Sequence, residues 1–278
     1  MAWLCARSTG SRFVLRFEDL DRVTSRPEHV TTQANDLHLL GIEWDGAPLI
    51  QSTRFDAHHA AINTLVEGGH TFECFCSRRE VAEALHAPNG PQEGGRYPGT
   101  CHKLTYHQRA EHLKNGRTPA IRLRPPKRDE IVSDRLSGVS WHPVDDVVLR
   151  RNDGIPAYNL AVVVDDAFQG VEEVVRGDDL LPSAAPQQVI ARLLGLPPVS
   201  YVHVPLAVNS GGQRLAKRDG AITLRQLAEH GVDARETLSI LGCSLGLCTS
   251  GESVTAKEIL GRFAVERLPT KPWIVDGS

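Results

Sequence analysis

The 278-residue sequence predicts an α/β fold, because strand-like and helix-like segments alternate along it. A β-rich run at 14–17 is followed by two segments, 26–40 and 55–66, whose apolar residues recur at helical spacing. The second of these ends at a pair of glycines, as helices often do. The alternation returns later, with a strand predicted at 171–175 and a helix at 186–194.

Two capping boxes predict helices in the middle of the chain. Ser77 with Glu80 opens the first of these helices, and Thr105 with Gln108 opens the second, which ends at Asn115-Gly116. In each box a hydroxyl and a later carboxylate or amide satisfy backbone N–H groups that have no partner within the helix. From residue 120 the pattern becomes typical of strands, which are predicted at 120–123, 139–141 and 147–151. The turn residues Asn152-Asp153-Gly154 that follow indicate a hairpin. The tail is predicted to be helical, with helix caps at Thr223, Asp233 and Thr255.

The composition is that of an ordinary globular protein. Hydrophobic residues make up 41% of the chain and charged residues 23%, with a net charge of -3. These values exclude disorder, collagen and coiled coil. The sequence has no apolar run long enough for a transmembrane helix and no secretory signal at its start, so we expect a cytoplasmic protein without a membrane contact.

The run at 14–17 leads directly into an acidic cluster. Glu18, Asp19 and Asp21 follow its last residue. In α/β sheets, ligands bind at the carboxyl ends of strands, so these carboxylates are candidates for a binding site.

Three cysteines have a spacing that suits a metal site. Cys74 and Cys76 are followed, after twenty further residues, by Tyr97 and then Cys101. Thiolates favour tetrahedral zinc, with Tyr97 or His102 as the fourth ligand, but buried free cysteines explain the same spacing. Free buried thiols are the favoured interpretation for Cys5, Cys243 and Cys248.

Three further residues stand where they could contact a ligand. Lys217 lies in a basic loop and could reach a phosphate, although a solvated surface loop is the simpler interpretation. Arg176 ends an apolar strand and could bind a carboxylate through two hydrogen bonds, or could pair with Asp178 or Asp179. Tyr158 opens an apolar stretch, which favours core packing with a hydrogen-bonded hydroxyl.

Other patterns are less specific. The sequence contains neither G-x-G-x-x-G nor a P-loop, which argues against dinucleotide and P-loop chemistry. A group of basic residues could contact an RNA backbone or form a solvated face: Arg122, Arg124, Lys127 and Arg128.

Taken in order, several motifs resemble the catalytic domain of class I glutamyl-tRNA synthetases. The resemblance covers essentially the whole chain and is closest to the short paralogous subfamily of glutamyl-Q tRNA(Asp) synthetases. The motifs are Arg16-Phe-Glu-Asp-Leu-Asp-Arg22, Asp36-Leu-His-Leu-Leu-Gly-Ile-Glu-Trp-Asp-Gly46, Gln51-Ser-Thr-Arg54, Tyr158-Asn-Leu-Ala161, Val175-Arg-Gly-Asp-Asp179 and Leu215-Ala-Lys-Arg-Asp-Gly220.

The resemblance implies a class I aminoacyl-tRNA synthetase fold with a Rossmann-like catalytic domain. Its first half, N-terminally incomplete, would cover residues 1–73, and a zinc-bearing acceptor-region insertion would cover 74–145. The second half, with the lysine signature loop, would span 146–232, followed by a helical segment at 233–278.

The resemblance also implies an activity. A monomer would activate L-glutamate with ATP and Mg²⁺ to glutamyl-adenylate without needing tRNA, and would then transfer the glutamate to queuosine in the anticodon of tRNA(Asp). Glu18 would hold the glutamate ammonium, Arg176 and Tyr158 its carboxylate end, and Lys217, as the catalytic residue, the ATP phosphates. One structural zinc ion would be bound by Cys74, Cys76, Tyr97 and Cys101.

The sequence departs from the family pattern in two places. The family's opening Arg-x-Ala-Pro-Ser-Pro turn and its His-x-Gly-[His/Asn] signature are absent, so we expect a strand, a turn and part of a helix to precede residue 1. Two other functions therefore stay open: a truncated glutamyl-tRNA synthetase that charges tRNA(Glu), and a catalytically inactive zinc-containing RNA-binding remnant. The family's Lys-[Leu/Met]-Ser-Lys-Arg loop is replaced by Arg214, Leu215, Ala216, Lys217 and Arg218.

Overall fold

The computed structural model describes residues 1–21, 25–86, 97–215 and 223–275. Within them the helices are α1 Ala2–Ser8, α2 Pro27–Leu39, α3 Phe55–Glu67, α4 Arg78–His86, α5 Tyr106–Lys114, α6 Tyr158–Gln169, α7 Leu181–Leu193, α8 Leu224–Glu229, α9 Ala234–Ser244 and α10 Ala256–Arg262. The strands are β1 Arg16–Phe17, β2 Leu49–Ile50, β3 Thr71–Cys74, β4 Ala120–Leu123, β5 Asp129–Asp134, β6 Gly138–Pro143, β7 Val148–Arg150, β8 Glu173–Gly177, β9 Ser200–Val204, β10 Ala207–Val208 and β11 Trp273–Ile274. Among these described helices, none is long and apolar enough to cross a membrane.

Two sheets form the centre of the fold. The first has the order β6-β5-β9-β8, in which β8 and β9 are parallel and β5 and β6 form an antiparallel hairpin. Strand β5 joins β9 in parallel at the pair Asp134 and Tyr201. The second sheet is antiparallel, in the order β3-β4-β7. The short strands β1 and β2 pair in parallel, as do β10 and β11.

Helices α6 and α7 supply much of the main core. Helix α6 carries four consecutive residues at 160–163 that are all buried, because this helix is apolar around most of its circumference. It ends at Gly170, whose φ of 68° is a left-handed conformation that glycine adopts without strain. Ile190 of α7 and Leu149 of β7 are fully buried in the same cluster.

The predicted helices form close to their predicted bounds. Helices α2 and α3 occupy the segments with helical spacing, and both capping boxes are present, at Ser77 and Thr105. Helix α7 starts at Leu181 rather than at Pro186, because Pro182 occupies the first turn and Pro186 is buried inside the helix. Helix α6 and strands β5 and β9 were not predicted from the sequence.

Strand β1 and the strand pairing at the predicted hairpin are shorter than the sequence predicts. Strand β1 covers only Arg16–Phe17 of the predicted run. The glycine of the predicted hairpin turn, Gly154, has a φ of 86°, and its N–H donates to the carbonyl of Arg151 at 3.0 Å. The chain returns through one bridge, between Arg150 and Pro156.

Hairpin β5–β6 lies within the predicted insertion, 74–145, yet it shares its sheet with β8 and β9 from the predicted second catalytic half. The two ranges are therefore hydrogen-bonded to each other through β5 and β9. The division of the chain into four segments stays a prediction.

Candidate functional site

Arg16 anchors the acidic end of strand β1. Its Nη2 and Nε donate to Oε1 of Glu18 at 3.2 and 3.3 Å, and its Nη1 donates to Oδ1 of Asp166 at 2.7 Å. Burial raises the pKa of Asp166, and the charge of Arg16 offsets part of this rise. Glu18 itself is exposed at the strand end, as the sequence predicts for a ligand-binding carboxylate.

The next residue, Asp19, is fixed by the 3-10 turn Gln51–Arg54. Its carboxylate accepts hydrogen bonds from the backbone N–H of Ser52 at 2.8 Å and from the Ser52 hydroxyl at 2.5 Å. The turn therefore holds the backbone beside Glu18 in one position.

A buried carboxylate on α6 holds this turn in place. Asp165 has no exposed surface and accepts hydrogen bonds from Arg54 at 2.7 Å, His58 at 2.9 Å and Gln51 at 3.0 Å. Burial alone would raise the pKa of Asp165, but the hydrogen bonds from His58, Arg54 and Gln51 together lower it. Asp165 therefore stays ionised in the interior.

Arg176, at the end of β8, does not pair with Asp178 or Asp179. Its Nε donates to Nε2 of His203 at 3.1 Å, and its Nη1 donates to Oε1 of Gln187 at 2.8 Å. Nη2 is buried and makes no hydrogen bond within the described residues.

Tyr158, the first residue of α6, lies close to Arg176 of β8. Burial raises the pKa of Tyr158, and the charge of Arg176 offsets part of the rise. The side chain is 38% exposed, so the core packing suggested by its apolar surroundings is incomplete. Its exposed part is available to a ligand.

A cleft of about 1220 Å³ connects Tyr158 and Glu18 with the cysteine region. One end is lined by these two residues, and the other by Cys76 and the capping pair Ser77 and Glu80. The volume is large enough for a nucleotide together with a small amino acid, since ligand pockets typically enclose about 300–1,000 Å³.

The three cysteines of the predicted metal site meet at one point. The sulfurs of Cys74, Cys76 and Cys101 lie within 4.8 Å of one another. The Tyr97 hydroxyl lies 3.3 Å from the sulfur of Cys74 and 3.5 Å from that of Cys76. His102 is directed elsewhere, with its Nε2 2.7 Å from Oδ2 of Asp146.

The surroundings of the cluster favour an ionised thiol. Hydrogen bonds from Cys101 and Cys76 lower the pKa of Cys74, and Arg122 contributes in the same direction. The Arg122 guanidinium lies 4.1 Å above the ring of Tyr97 and donates to the Asp146 carbonyl at 2.9 Å. A positive charge next to a group of thiolates reduces the net negative charge of the site.

The basic residues considered for RNA contact are partly used inside the protein. Arg122 donates to the backbone carbonyl of Asp146, and Arg128 donates to the buried carboxylate of the same residue at 2.6 Å. The Arg124 guanidinium lies 5.5 Å from the centre of the Phe72 ring. These arginines therefore help to hold the cysteine region together, which neither predicted interpretation included.

The signature loop is described only at its start. Arg214 pairs with Asp179, so this carboxylate, one of the two considered as a partner for Arg176, binds the loop instead. Leu215 is exposed. The remaining loop residues, Ala216, Lys217 and Arg218, lie outside the described residues.

Comparison with known proteins places the chain in a family. A family described as tRNA synthetases class I (E and Q), catalytic domain, matches residues 1–278. The chain belongs to this family, whose members are ligases. It is 52% identical over 275 residues to a Nocardia farcinica protein named glutamyl-Q tRNA(Asp) synthetase. The aligned region covers 99% of this chain and 86% of the relative.

Two further matches are more distant. A glutamate–tRNA ligase of Nitratidesulfovibrio vulgaris strain DP4 is 36% identical over 271 residues, which cover 96% of this synthetase domain and 57% of the relative. The crystal structure of a glutamate-tRNA synthetase from Elizabethkingia anophelis superposes with a TM-score of 0.79 at 22% identity. It covers 100% of this chain, which spans 63% of that solved chain, and the likeness supports the synthetase fold.

Sequence reasoning missed the partners that hold the site residues of this synthetase domain. His203, Gln187 and Asp165 all fall within apolar stretches and have no motif of their own. The only available signal is a polar residue at a position predicted to be buried, because such a residue needs a hydrogen-bonding partner.

Proposed function

We propose that this protein activates L-glutamate with ATP and Mg²⁺, without needing tRNA, and transfers the glutamate to queuosine in the anticodon of tRNA(Asp). The observation that carries the proposal is the higher identity to a glutamyl-Q tRNA(Asp) synthetase, 52%, than to a glutamate–tRNA ligase, 36%, over nearly the same residues.

The chemistry needs no nucleophile from the enzyme, because the carboxylate of glutamate itself attacks the α-phosphate of ATP. Catalysis then consists of positioning the two substrates and stabilising the charge that develops on phosphorus. Mg²⁺ would neutralise the leaving pyrophosphate, and Lys217 would contact the ATP phosphates.

The amino acid would bind at the end of the cleft beside strand β1. Glu18 would hold the ammonium group, because it is an exposed carboxylate fixed between Arg16 and the turn that binds Asp19. Arg176 and Tyr158 would hold a carboxylate of the substrate. Arg176 suits this role because its Nη2 is buried and makes no hydrogen bond within the described residues.

Two assays test the function. Glutamate-dependent ATP–pyrophosphate exchange should occur without tRNA, and labelled glutamate should transfer to tRNA(Asp) that contains queuosine but not to the same tRNA with guanosine at that position. The exchange assay is best run in parallel on a version of the protein extended upstream.

Each alternative function has its own outcome in these assays. Charging of tRNA(Glu) would replace the proposal with the glutamyl-tRNA synthetase activity. Binding of tRNA without exchange by either version would support the inactive RNA-binding remnant.

We also propose that Cys74, Cys76, Cys101 and Tyr97 hold a structural zinc ion. The donors fit, since three sulfurs and a phenol oxygen converge within bonding reach of one point and thiolates are preferred ligands of zinc. The ion would stabilise the loop that contains Cys101 against strand β3. The test is metal analysis: the wild-type protein should contain about one zinc per chain, Cys101→Ser should lose it, and the control Cys243→Ser should retain it.

A further inference from the structure

Arg176 is held by a chain of buried hydrogen bonds that begins on a different part of the sheet. Asp134 is the last residue of strand β5. Its Oδ2 accepts a hydrogen bond from the backbone N–H of His203 and also lies 2.8 Å from Nδ1 of the His203 ring. Nε2 of His203 in turn accepts from Nε of Arg176 at 3.1 Å. His203 is 2% exposed and Asp134 5%, so water does not compete for these bonds.

The carboxylate decides which nitrogen of His203 carries the proton. Oδ1 of Asp134 also accepts hydrogen bonds from the backbone N–H groups of Leu136 and Ser137, at 2.9 and 2.7 Å. Burial alone would raise the pKa of Asp134, but these bonds and the one from His203 lower it, so the carboxylate stays ionised. An ionised carboxylate next to Nδ1 keeps the proton on that nitrogen, which leaves Nε2 as an acceptor.

A second support holds the other side of the guanidinium. Gln187 accepts from Nη1 of Arg176 through Oε1, while its own Nε2 donates to Oδ1 of Asn159 at 3.0 Å. The bond to Asn159 fixes the orientation of the Gln187 amide, so its oxygen faces Arg176. Two of the three guanidinium nitrogens are therefore occupied, and the third, Nη2, lies buried and without a partner among the described residues.

We propose that His203 and Asp134 are positioning residues that hold Arg176 so that its remaining nitrogen, Nη2, receives a carboxylate of the amino-acid substrate. This inference rests on the proposed function for the identity of the substrate. A buried donor without a partner costs free energy, and a bound carboxylate removes that cost with a charge-assisted hydrogen bond.

The arrangement predicts a dependence of substrate binding on pH. Burial lowers the pKa of His203, the charge of Arg176 lowers it further, and Asp134 opposes both effects. The charged groups that face His203 are Asp134 on β5, Arg176 on β8 and Asp178 after β8, while the ring of Tyr201 stacks on it. When the imidazole is protonated, Nε2 can no longer accept from Arg176 and the two positive charges repel each other.

The experiment measures glutamate binding by calorimetry for the wild-type protein and three variants. His203→Leu removes the acceptor and should weaken binding about tenfold, equivalent to one lost charge-assisted hydrogen bond. His203→Gln places a carbonyl oxygen near the position of Nε2 and should recover most of the affinity. His142→Gln makes the same exchange at a half-buried histidine of β6 that bonds Ser140, and it should bind as the wild type does.

The pH profile separates positioning from a general loss of structure. Because the pKa of His203 is lowered, wild-type affinity should be constant around the ordinary histidine value of about 6.5 and should fall in a step at a lower pH, whereas His203→Gln should show no such step. Equal affinity of His203→Leu and the wild type, or the same pH profile for the wild type and His203→Gln, would overturn the inference.

A spectroscopic measurement keeps the test independent of folding of the variants and of the proposed function. Nitrogen NMR of the histidine rings at neutral pH should show His203 with the proton on Nδ1 and an unprotonated Nε2. A proton on Nε2 would refute the positioning role even if glutamate binds. Absence of glutamate binding by the wild type, together with the expected NMR spectrum, would contradict the proposed function instead.

Discussion

The surroundings of a carboxylate determine its role in this protein, as Glu18 and Asp165 show. Glu18 and Asp165 are both acidic, yet Glu18 is exposed beside Arg16, whereas Asp165 is enclosed by three donors and has no exposed surface. The first keeps part of its carboxylate in contact with solvent. The second keeps the turn beneath the first in place.

Replacing Glu18 by Gln should raise the KM for glutamate by at least tenfold with a smaller change in kcat. The amide is nearly the same size but lacks the charge that attracts an ammonium group, and hydrogen bonds to charged groups contribute about 1.5–3 kcal/mol. Steady-state ATP–pyrophosphate exchange at varied glutamate concentration gives both constants. Glu67→Gln, at the exposed end of α3, is the matched control, and an unchanged KM in Glu18→Gln would remove Glu18 from the substrate site.

Replacing Asp165 by Asn should lower the free energy of unfolding by about 3–5 kcal/mol at pH 7, because it leaves the half-buried Arg54 and the buried His58 without their charged partner. The pKa of Asp165 is lowered in the folded protein, so its contribution is complete above the unfolded value of about 3.9 and is lost as the pH falls below it. Urea denaturation at several pH values measures this. The difference from the wild type should shrink below pH ~4, and the exposed Asp129→Asn should show no comparable loss.

At the scale of elements, some helices are fixed by local capping residues, whereas other helices and strands are fixed by long-range packing. The capping boxes at Thr105, Thr223 and Thr255 form as their sequences indicate, because both hydrogen bonds in each box join residues three apart. Helix α6 has no such cap and is instead fixed by burial of its apolar side chains. Strand β5 is exposed along part of its length and is held by pairing with β6 and β9.

The capping box of α5 offers a test at this scale. Thr105→Ala should lower the free energy of unfolding by about 1 kcal/mol, because the N–H of Gln108 loses its hydroxyl acceptor. Thr105→Ser keeps the hydroxyl and should match the wild type. If the alanine and serine variants had equal denaturation midpoints, the cap would contribute nothing measurable to stability.

At the scale of the whole molecule, the first and last described helices share one apolar cluster. Leu4 of α1 packs in the same cluster as Leu247, Val254 and Ile259, the last of them on α10. A neighbouring cluster joins Cys5 to Val202 of the central sheet and to the residues that follow α10. The N-terminal helix and the C-terminal segment therefore stabilise each other and pack against the central sheet.

This arrangement predicts coupled effects of two distant substitutions. Leu4→Ala and Ile259→Ala should each destabilise the protein by about 2–5 kcal/mol, because each leaves a cavity in a buried cluster. The double variant should lose less than the sum, since both changes affect the same cluster. Denaturation of the four proteins gives the coupling, and strict additivity would show that the two helices are stabilised separately.

The sequence by itself determined most of the helices, the acidic strand end, the residues of the cysteine cluster and the synthetase family. These features depend on residues close together in the chain or on ordered motifs, so local hydrogen bonds and periodicity predict them. It left open whether Tyr97 or His102 completes the cysteine cluster. The fold favours Tyr97, because Asp146 binds the histidine.

Only the tertiary structure decided which residues support the site. Asp165 follows Gln51 by 114 residues, and His203 follows Asp134 by 69. Partners at such distances meet only after the sheets and helices have packed, and no local pattern identifies them in advance. The same reason explains why Arg176 binds His203 and Gln187 rather than the aspartates beside it in the sequence. Arg176 lies opposite His203 in the parallel pair of β8 and β9, whereas Asp178 and Asp179 lie in the 3-10 turn that follows the strand.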